Sequence, residues 1–390
     1  MHRILGLAAV ALLVAAVPYA SSAQDDRLRS QFAAVIQGLN DNTFGAFHDA
    51  VNERELTARI YGTRVIDDDA KRYLASDFRG IVERSFVAAF PPPRSEDEAG
   101  GEILGTIVAF DADNGKARAL VRFESRGFRY SYHAYDLALR SNKVRIVDWF
   151  DFYQGAWFSE SIGSALLRMV PTQASVASVL DVSSPSRGQL FQVGELLKAA
   201  RDSNMQRFFQ IRDGLEEALR TDPFVVSLNY EICRRLGDPA RLQGAAGEIA
   251  QTFPGDARFS LSLAEYYVQR RRFGEALAEF ERLEESLGHK DGVIESLKAT
   301  AAMALGEFER AQALAVSATE AEPTLELGWW TLLRTHTAAQ DYAGAVAAMT
   351  VLEERFGKLL IPQTLRRDRF LKVLIDQPEY KEWRAARDAA

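Results

Sequence analysis

The C-terminal half of the sequence repeats one pattern at an almost constant interval. A short turn carrying Gly or Asp recurs between apolar helical segments, and in three of the four copies an alanine follows it. The matching units begin at Pro223, Ala257, Gly292 and Glu326, at intervals of 34, 35 and 34 residues. A fixed period of this length predicts an array of helical pairs, in which each pair buries its remaining apolar face by stacking on the next.

The residues inside the units support this interpretation. The second unit carries Leu263, Ala264 and Tyr267, and the fourth carries Trp329 near its start. In length and in these positions the units resemble the tetratricopeptide repeat (TPR) family, which has Leu, a small residue, Tyr and Trp at the matching places. Three residues depart from the family pattern: Leu242, Glu295 and Lys298. The repeat resemblance covers about half of the chain and implies a superhelix over residues 189–357, closed by capping helices over 358–390.

The resemblance also implies a binding surface. In this family the inner face is formed by the first helix of each pair and holds extended peptides or partner helices. The corresponding residues here are Glu231, Arg258, Glu265, Trp330 and Arg334. The alternative is that these residues form a solvated face, or are covered by the N-terminal domain. The resemblance therefore implies another envelope protein or peptide as partner.

The N-terminus predicts export. Arg3 precedes the apolar stretch from Ile4 to Val17, and the small residues Ser21-Ser22-Ala23 follow it. This layout is typical of a cleavable signal peptide over residues 1–23, and an uncleaved anchor is the alternative. No Cys lies directly after the cleavage site, where Gln24 stands, so a lipid anchor is not expected there. We therefore expect a periplasmic or secreted protein, with no membrane span after cleavage.

Charge and cysteine content limit the classes of partner. The net charge is −7 and the sequence pI is about 5.5, which argues against nucleic acid and anionic lipid as main partners. Cys233 is the only cysteine, so no intrachain disulfide can form, and its place on a predicted helix favours a buried apolar role. A homo-oligomer is a further alternative.

Residues 24–170 predict an α+β domain, and a linker rich in Ser, Pro and Val follows over 171–188. Three helical segments come first, and Asp67-Asp68-Asp69 is typical of the start of the third. The pattern then changes to four strands, Ile103–Phe110, Ala117–Phe123, Phe128–Leu139 and Val144–Tyr153, followed by a short helix over Ser159–Met169. Asn114-Gly115 predicts a tight hairpin between the first two strands. Helices followed by an antiparallel meander indicate the α+β class.

This order of elements resembles the nuclear transport factor 2-like, or cystatin-like, superfamily. The resemblance implies a cone with a pocket between helices and sheet, for which the candidate lining residues are His48, Tyr130, Tyr132, Asp136 and Asp148. A carboxylate among apolar neighbours would have a raised pKa and could act as a general base. The alternative is that both aspartates form ion pairs, with Arg122, Arg129 or Arg145, or lie at an open rim.

Other chemistry is not indicated. The five histidines form no metal-spaced pair, and the sequence contains no Gly-rich phosphate loop and no nucleophile elbow. We predict no catalytic residues, no metal and no cofactor. The favoured function is a non-enzymatic interaction or scaffold protein that binds through a TPR-like groove. The alternative is a small-ligand-binding or weakly enzymatic cone, with the repeats as a docking handle.

Overall fold

The computed structural model describes residues 23–62, 64–88, 90, 103–125 and 129–388. The predicted signal peptide, except for Ala23, and the predicted proline break at 91–93 lie outside these residues. The observed class is the predicted one: an α+β domain precedes a succession of helices. We call residues 23–170 the sheet domain and residues 187–388 the helical part.

The sheet domain begins with five helices and continues with a meander. The helices are α1 (Ala23–Asn40), α2 (Gly45–Ala50), α3 (Glu53–Gly62), α4 (Asp68–Ser76) and α5 (Phe78–Ala88). The strands are β1 (Leu104–Asp113), β2 (Lys116–Ser125), β3 (Arg129–Arg140), β4 (Lys143–Asp151) and β5 (Ala156–Trp157), and α6 (Phe158–Met169) follows them. The strands pair in sequence order as one antiparallel sheet. The very short fifth strand was not predicted.

The second and third predicted helical segments are each interrupted. Val51 is extended and forms a bridge with Ile146, to whose carbonyl oxygen the Asn52 N–H donates at 2.8 Å. This contact with β4 separates α2 from α3. Asp77 leaves the helical conformation between α4 and α5. The prediction at Asp67 is confirmed, because its side chain accepts a hydrogen bond from the Asp69 N–H at 2.8 Å and caps α4.

The two long hairpins turn through residues with positive φ. Asn114 and Gly115 connect β1 to β2 with φ of 51° and 74°, and Ser141 and Asn142 connect β3 to β4 with φ of 48° and 66°. Two positive values in succession match the twist of a tight hairpin, which confirms the turn predicted at Asn114-Gly115. A β-bulge between Asp136 and Leu137 shifts the register of β3 against β4.

Both faces of the sheet are apolar. On one face Phe123, Tyr135 and Trp149 pack against the N-terminal helices, in a cluster that includes Phe32 and Phe47. The alternate residues of β3, Tyr130, Tyr132 and Ala134, belong to a second apolar cluster on the other face. Since an antiparallel sheet commonly leaves one face to solvent, an apolar second face needs a cover. The helical part provides it.

The helical part consists of pairs that stack in chain order. After α7 (Gln173–Ala177) come α8 (Arg187–Arg201), α9 (Met205–Asp213), α10 (Glu217–Arg220), α11 (Pro223–Leu236), α12 (Pro239–Thr252), α13 (Ser260–Gln269), α14 (Phe273–Leu287), α15 (Gly292–Leu305), α16 (Phe308–Ala321), α17 (Glu326–Ala338), α18 (Tyr342–Phe356), α19 (Pro362–Leu365) and α20 (Pro378–Asp388). Short 3₁₀ turns cover Ala257–Phe259 and Leu371–Asp376. Three helices, α11, α15 and α17, therefore begin at the predicted unit starts Pro223, Gly292 and Glu326. At the remaining predicted start, Ala257, a 3₁₀ turn begins and leads into α13.

The packing of the pairs follows the repeat pattern. Ala276, Ala311 and Ala345 occupy matching places on α14, α16 and α18, and each is fully buried. The predicted departure at Glu295 and Lys298 is accommodated by an ion pair, because Lys298 Nζ lies 2.6 Å from Glu295 and 2.8 Å from Glu284. Both charged side chains are buried within the stack.

Among the described residues, no helix has the length and apolar character needed to cross a membrane. The same residues contain no group of three or more His, Cys, Asp or Glu side chains able to hold a metal ion.

Candidate functional site

The second face of the sheet packs directly on the repeats. One apolar cluster contains Tyr130, Tyr132 and Phe152 of the sheet domain together with residues of three consecutive helices, Leu261 (α13), Phe280 (α14) and Ile294 (α15). All of them are buried. The sheet domain therefore packs on the array through this cluster.

A buried arginine fixes this contact. Arg122 on β2 donates to Asp291 Oδ2 at 2.7 Å and to both carboxylate oxygens of Glu322, at 2.7 and 2.8 Å. The Tyr132 hydroxyl donates to Asp291 Oδ1 at 2.7 Å. Burial opposes the charge of Arg122, but the hydrogen bond to Glu322 and the charge of Asp291 outweigh it, so the pKa of Arg122 is raised. Because Asp291 also caps α15, this contact ties the sheet to the start of a repeat.

A second ion-pair group joins α6 to α11. Arg168 donates two hydrogen bonds to Glu231, at 2.8 and 3.1 Å, and Arg235 lies 2.7 Å from the same carboxylate. Burial raises the pKa of Glu231, but the charges of Arg168 and Arg235 outweigh this effect and lower the pKa to about 2. Glu231 therefore stays ionised between two arginines.

The turn between β4 and β5 lies directly against the array. Gly155 has φ of +69°, and a Cβ built on it would lie 2.8 Å from the carbonyl oxygen of Arg258 and 2.9 Å from the Phe259 ring. Only glycine fits both the conformation and the space. Nearby, the Ser262 hydroxyl donates to the Tyr153 carbonyl oxygen at 3.0 Å. The Arg234 guanidinium lies 5.1 Å from the centre of the Tyr153 ring.

Beside this turn the two parts enclose a cleft of about 450 Å³. We call it the interdomain cleft. Its charged lining residues are Arg64, Glu160 and Arg168 from the sheet domain and Glu231, Arg234 and Arg258 from the helical part. Phe224, Tyr230, Phe253 and Phe259 contribute aromatic walls, and Ser161, Ser164 and Ser227 contribute hydroxyl groups. Concave sites of this size, with apolar walls and a few converging polar groups, are typical binding sites.

Arg64 differs from the other arginines of the cleft. Its guanidinium donates to the Ser164 hydroxyl, and it forms no ion pair with any carboxylate of the described residues. Burial lowers the pKa of Arg64; Glu160 and Glu231 oppose this effect, and Arg168 adds to it. Arg258 is paired with Asp256 at 2.6 Å, and Arg168 with Glu231. The positive charge of Arg64 is therefore the least compensated of these three.

The predicted groove residues lie at three separate sites. Glu231 and Arg258 line the interdomain cleft. Glu265 lines a much smaller recess beside Tyr153. At the other end of the array Trp330 donates to Glu326, and Arg334 pairs with Asp368 of the capping segment at 2.7 Å. Binding of a partner at any of them stays a prediction.

The predicted pocket residues also lie apart. Asp148 is buried and accepts hydrogen bonds from the Ser159 hydroxyl at 2.6 Å and from the Trp149 N–H at 2.9 Å. Burial raises its pKa, while these hydrogen bonds and the charge of Arg59 oppose the shift. Arg59 lies 3.1 Å from Asp136 and 3.5 Å from Asp148. The two aspartates thus share Arg59 of α3. Of the three arginines considered from the sequence, Arg122 pairs with Asp291 and Glu322, Arg145 donates to the Asp49 carbonyl oxygen, and the side chain of Arg129 lies outside the described part of the structure.

The other three candidates face different surroundings. Tyr130 and Tyr132 lie on the face that packs against the repeats, in the cluster described above. His48 pairs with Glu83 at 3.0 Å and lines a surface depression with Arg79 and Arg145. Between the helices and the other face of the sheet, the space is filled by contacting rings, among them Phe86, Phe123 and Trp149.

A buried polar pair was not anticipated. His133 Nε2 lies 3.7 Å from Asp151 Oδ2, and neither atom has a hydrogen-bond partner within the described residues. Burial lowers the pKa of His133 to about 3. Burial raises the pKa of Asp151 to about 6, against the charge of Arg234 and the Tyr153 and Gln154 N–H groups. His133 and Asp151 face each other because β3 and β4 pair in this register, which the sequence alone does not define.

Comparison with known proteins does not assign the chain to a family. No protein-family model matches the chain, and no curated protein matches it. Among solved structures, the chain is similar to one described as the crystal structure of "PilW, widely conserved type IV pilus biogenesis factor". The identity is 17%, the TM-score is 0.34, and the match covers 53% of this chain and 94% of that one. At this TM-score the similarity carries no functional conclusion.

Proposed function

We propose that the protein is an exported, non-enzymatic interaction protein, and that it holds a segment of another envelope protein in the interdomain cleft. One observation carries this proposal. The cleft is built from both parts of the chain, and it combines aromatic walls with a partly buried arginine, Arg64, that has no carboxylate partner among the described residues. Export is proposed from the N-terminal sequence, where Arg3, the apolar stretch and Ser21-Ser22-Ala23 follow the order of a signal peptide.

The cleft supports this proposal better than the whole inner face of the array does. The sheet domain covers part of the repeats, and the capping segment pairs with Arg334. A partner bound along the full face would have to displace both. In the cleft, Glu231 and Arg258 of the array are accessible beside Arg64 of the sheet domain without such a rearrangement.

The geometry of the aspartates favours a non-enzymatic protein over the alternative of a weakly enzymatic cone. The carboxylate oxygens of Asp148 accept hydrogen bonds from the Ser159 hydroxyl and the Trp149 N–H, and Asp136 pairs with Arg59. A general base must reach the proton that it removes from a substrate. The ring contacts between helices and sheet fill the space where such a substrate would bind in a cone.

Affinity capture with a blocked cleft tests the proposal. Mature protein from Gln24 onward is immobilised and incubated with the envelope fraction, together with Ser227→Trp, which fills the cleft, and Glu309→Trp on the exposed side of α16. We expect a discrete protein to be retained by the mature protein and by Glu309→Trp, and lost by Ser227→Trp. Equal retention by all three, with circular dichroism showing that each is folded, would contradict binding in the cleft.

A further inference from the structure

We propose that the interdomain cleft recognises a carboxylate group of a peptide segment, and that Arg64 is the residue that binds it. This inference rests on the proposed function, because it names the chemistry of the occupant of the same cleft. It starts from the positions of the charged groups that line the cleft.

The carboxylates already present in the cleft are engaged. Glu231 receives two hydrogen bonds from Arg168 and pairs with Arg235. Glu160 accepts a hydrogen bond from the Trp157 N–H at 3.2 Å at the start of α6. Arg64 is left with the Ser164 hydroxyl, and no carboxylate oxygen of the described residues lies within ion-pair distance of it. A partly buried guanidinium without an ion-pair partner is suited to bind an anion from outside.

A carboxylate fits the site better than a phosphate dianion. A guanidinium presents parallel N–H donors that match the two oxygens of a carboxylate. The nearby charges of Glu160 and Glu231, which both act on Arg64, would repel a doubly charged group more strongly. Phe224, Tyr230, Phe253 and Phe259 offer contact area for an apolar side chain next to the bound carboxylate.

The carboxylate has two sources in a peptide, an acidic side chain or the C-terminus. Three hexapeptides separate them: alternating Phe and Glu with both ends capped, the same peptide with Gln in place of Glu, and the Gln peptide with a free C-terminal carboxylate. Binding of each to the full mature protein is measured by calorimetry at low ionic strength. The variants are Arg64→Gln, the charge-matched control Arg54→Gln on α3, and the cleft-filling Ser227→Trp.

We expect the Glu peptide or the free-carboxylate peptide to bind about tenfold or more tightly than the capped Gln peptide. Arg64→Gln abolishes this difference, whereas Arg54→Gln, at an exposed position away from the cleft, retains it. Ser227→Trp removes binding of all three. Arg64→Gln should unfold at no lower temperature than the wild type, because it removes a charge that has no carboxylate partner among the described residues.

Two results would overturn the carboxylate assignment: equal affinity of the three peptides for the wild type, or no binding of any of them up to about 1 mM. If the capture through the cleft succeeds while the peptides bind equally, the interaction function stands and the carboxylate chemistry fails. If the Glu peptide binds Ser227→Trp as tightly as it binds the wild type, the peptide binds elsewhere and the assignment to Arg64 is wrong.

Discussion

Three arginines of the sheet domain that lie near the repeats differ in their ion-pair partners. Arg122 reaches Asp291 and Glu322, and Arg168 reaches Glu231. Arg64 meets Ser164 and, within the described residues, no carboxylate. The first two hold the sheet domain on the array, because breaking either pair leaves a carboxylate poorly compensated. The third contributes no such bond and is available to an occupant of the cleft.

Arg122→Met should destabilise the protein severely. Asp291 would remain in place with 1% of its side chain exposed, and its charge would lose its main partner. Stranding one member of a buried ion pair costs about 3–5 kcal/mol of unfolding free energy. Urea unfolding followed by circular dichroism measures this change. Arg118→Met, an exposed position on the same strand, should change the free energy by less than about 0.5 kcal/mol. Similar losses in both variants would show that Arg122 does not hold the interface.

Glu231 makes stability depend on pH in the acid range. Its pKa is lowered from 4.5 to about 2 in the folded protein, so its stabilising contribution is complete above pH 4.5 and is lost as the pH falls through 2. Glu231→Gln should therefore reduce the decline of unfolding free energy between pH 5 and pH 2 by roughly 2–3 kcal/mol. Urea titrations across this range provide the measurement. The exposed Glu309→Gln should leave the decline unchanged, and an unchanged decline in Glu231→Gln would disprove the coupling.

At the scale of elements, small residues decide how closely the helices of the array approach. Ala276, Ala311 and Ala345 repeat at intervals of 35 and 34 residues, and each has 0% exposure. Each lies on the second helix of its pair, at the place where the TPR-like pattern has a small residue. An added side chain at this place must push two helices apart.

Ala311→Leu should lower the unfolding free energy by about 1–3 kcal/mol, because three additional carbon atoms have no space in a packed interface. Ala313 lies on the same helix, α16, but on its exposed side. Ala313→Leu is therefore the matched control and should be nearly neutral. Chemical unfolding of both variants checks the prediction, and a neutral Ala311→Leu would mean that the pairs do not pack as described.

The sequence predicts those features that depend on short stretches of chain. The period predicts the helix starts at Pro223, Gly292 and Glu326, and Asn114-Gly115 predicts a hairpin turn. The break at Val51 could not be predicted in the same way, because it results from a contact with Ile146, far away in the chain. β5 has only two residues and no pattern of its own.

The interdomain cleft could not be predicted from the sequence, because its lining residues come together only in the folded chain. Glu231 and Arg258 were selected from the repeat pattern, and both line the cleft. Arg64 and Arg168 had no signal in the sequence, because their position opposite the array depends on how the sheet docks. One hint was that β3 carries apolar residues on both faces, Tyr130, Tyr132 and Ala134 on one and Tyr135, Leu137 and Leu139 on the other, which implies that both faces are covered.

At the scale of the whole molecule, the docking of the sheet domain depends on the close approach at Gly155. We expect Gly155→Ala to destabilise the protein about 1–3 kcal/mol more than Gly237→Ala does. Both glycines have similar positive φ, +69° and +65°, so both substitutions carry the same backbone strain. A Cβ at Gly155 would meet Arg258 and Phe259, whereas a Cβ at Gly237 would meet no atom within 4 Å. Urea unfolding of the two variants isolates the contribution of the interface, and equal effects would contradict the docked arrangement.

Site-specific photo-cross-linking in intact cells tests the central claim most directly, which is that the interdomain cleft holds a segment of another envelope protein. A photoreactive amino acid replaces Ser227 inside the cleft or Glu309 on the exposed side of α16, in chains with Arg64 or with Arg64→Gln. The predicted result is a discrete cross-linked product from position 227, absent from position 309 and strongly reduced by Arg64→Gln. Cross-linking of equal strength from both positions, or from position 309 alone, would contradict the cleft as the working surface.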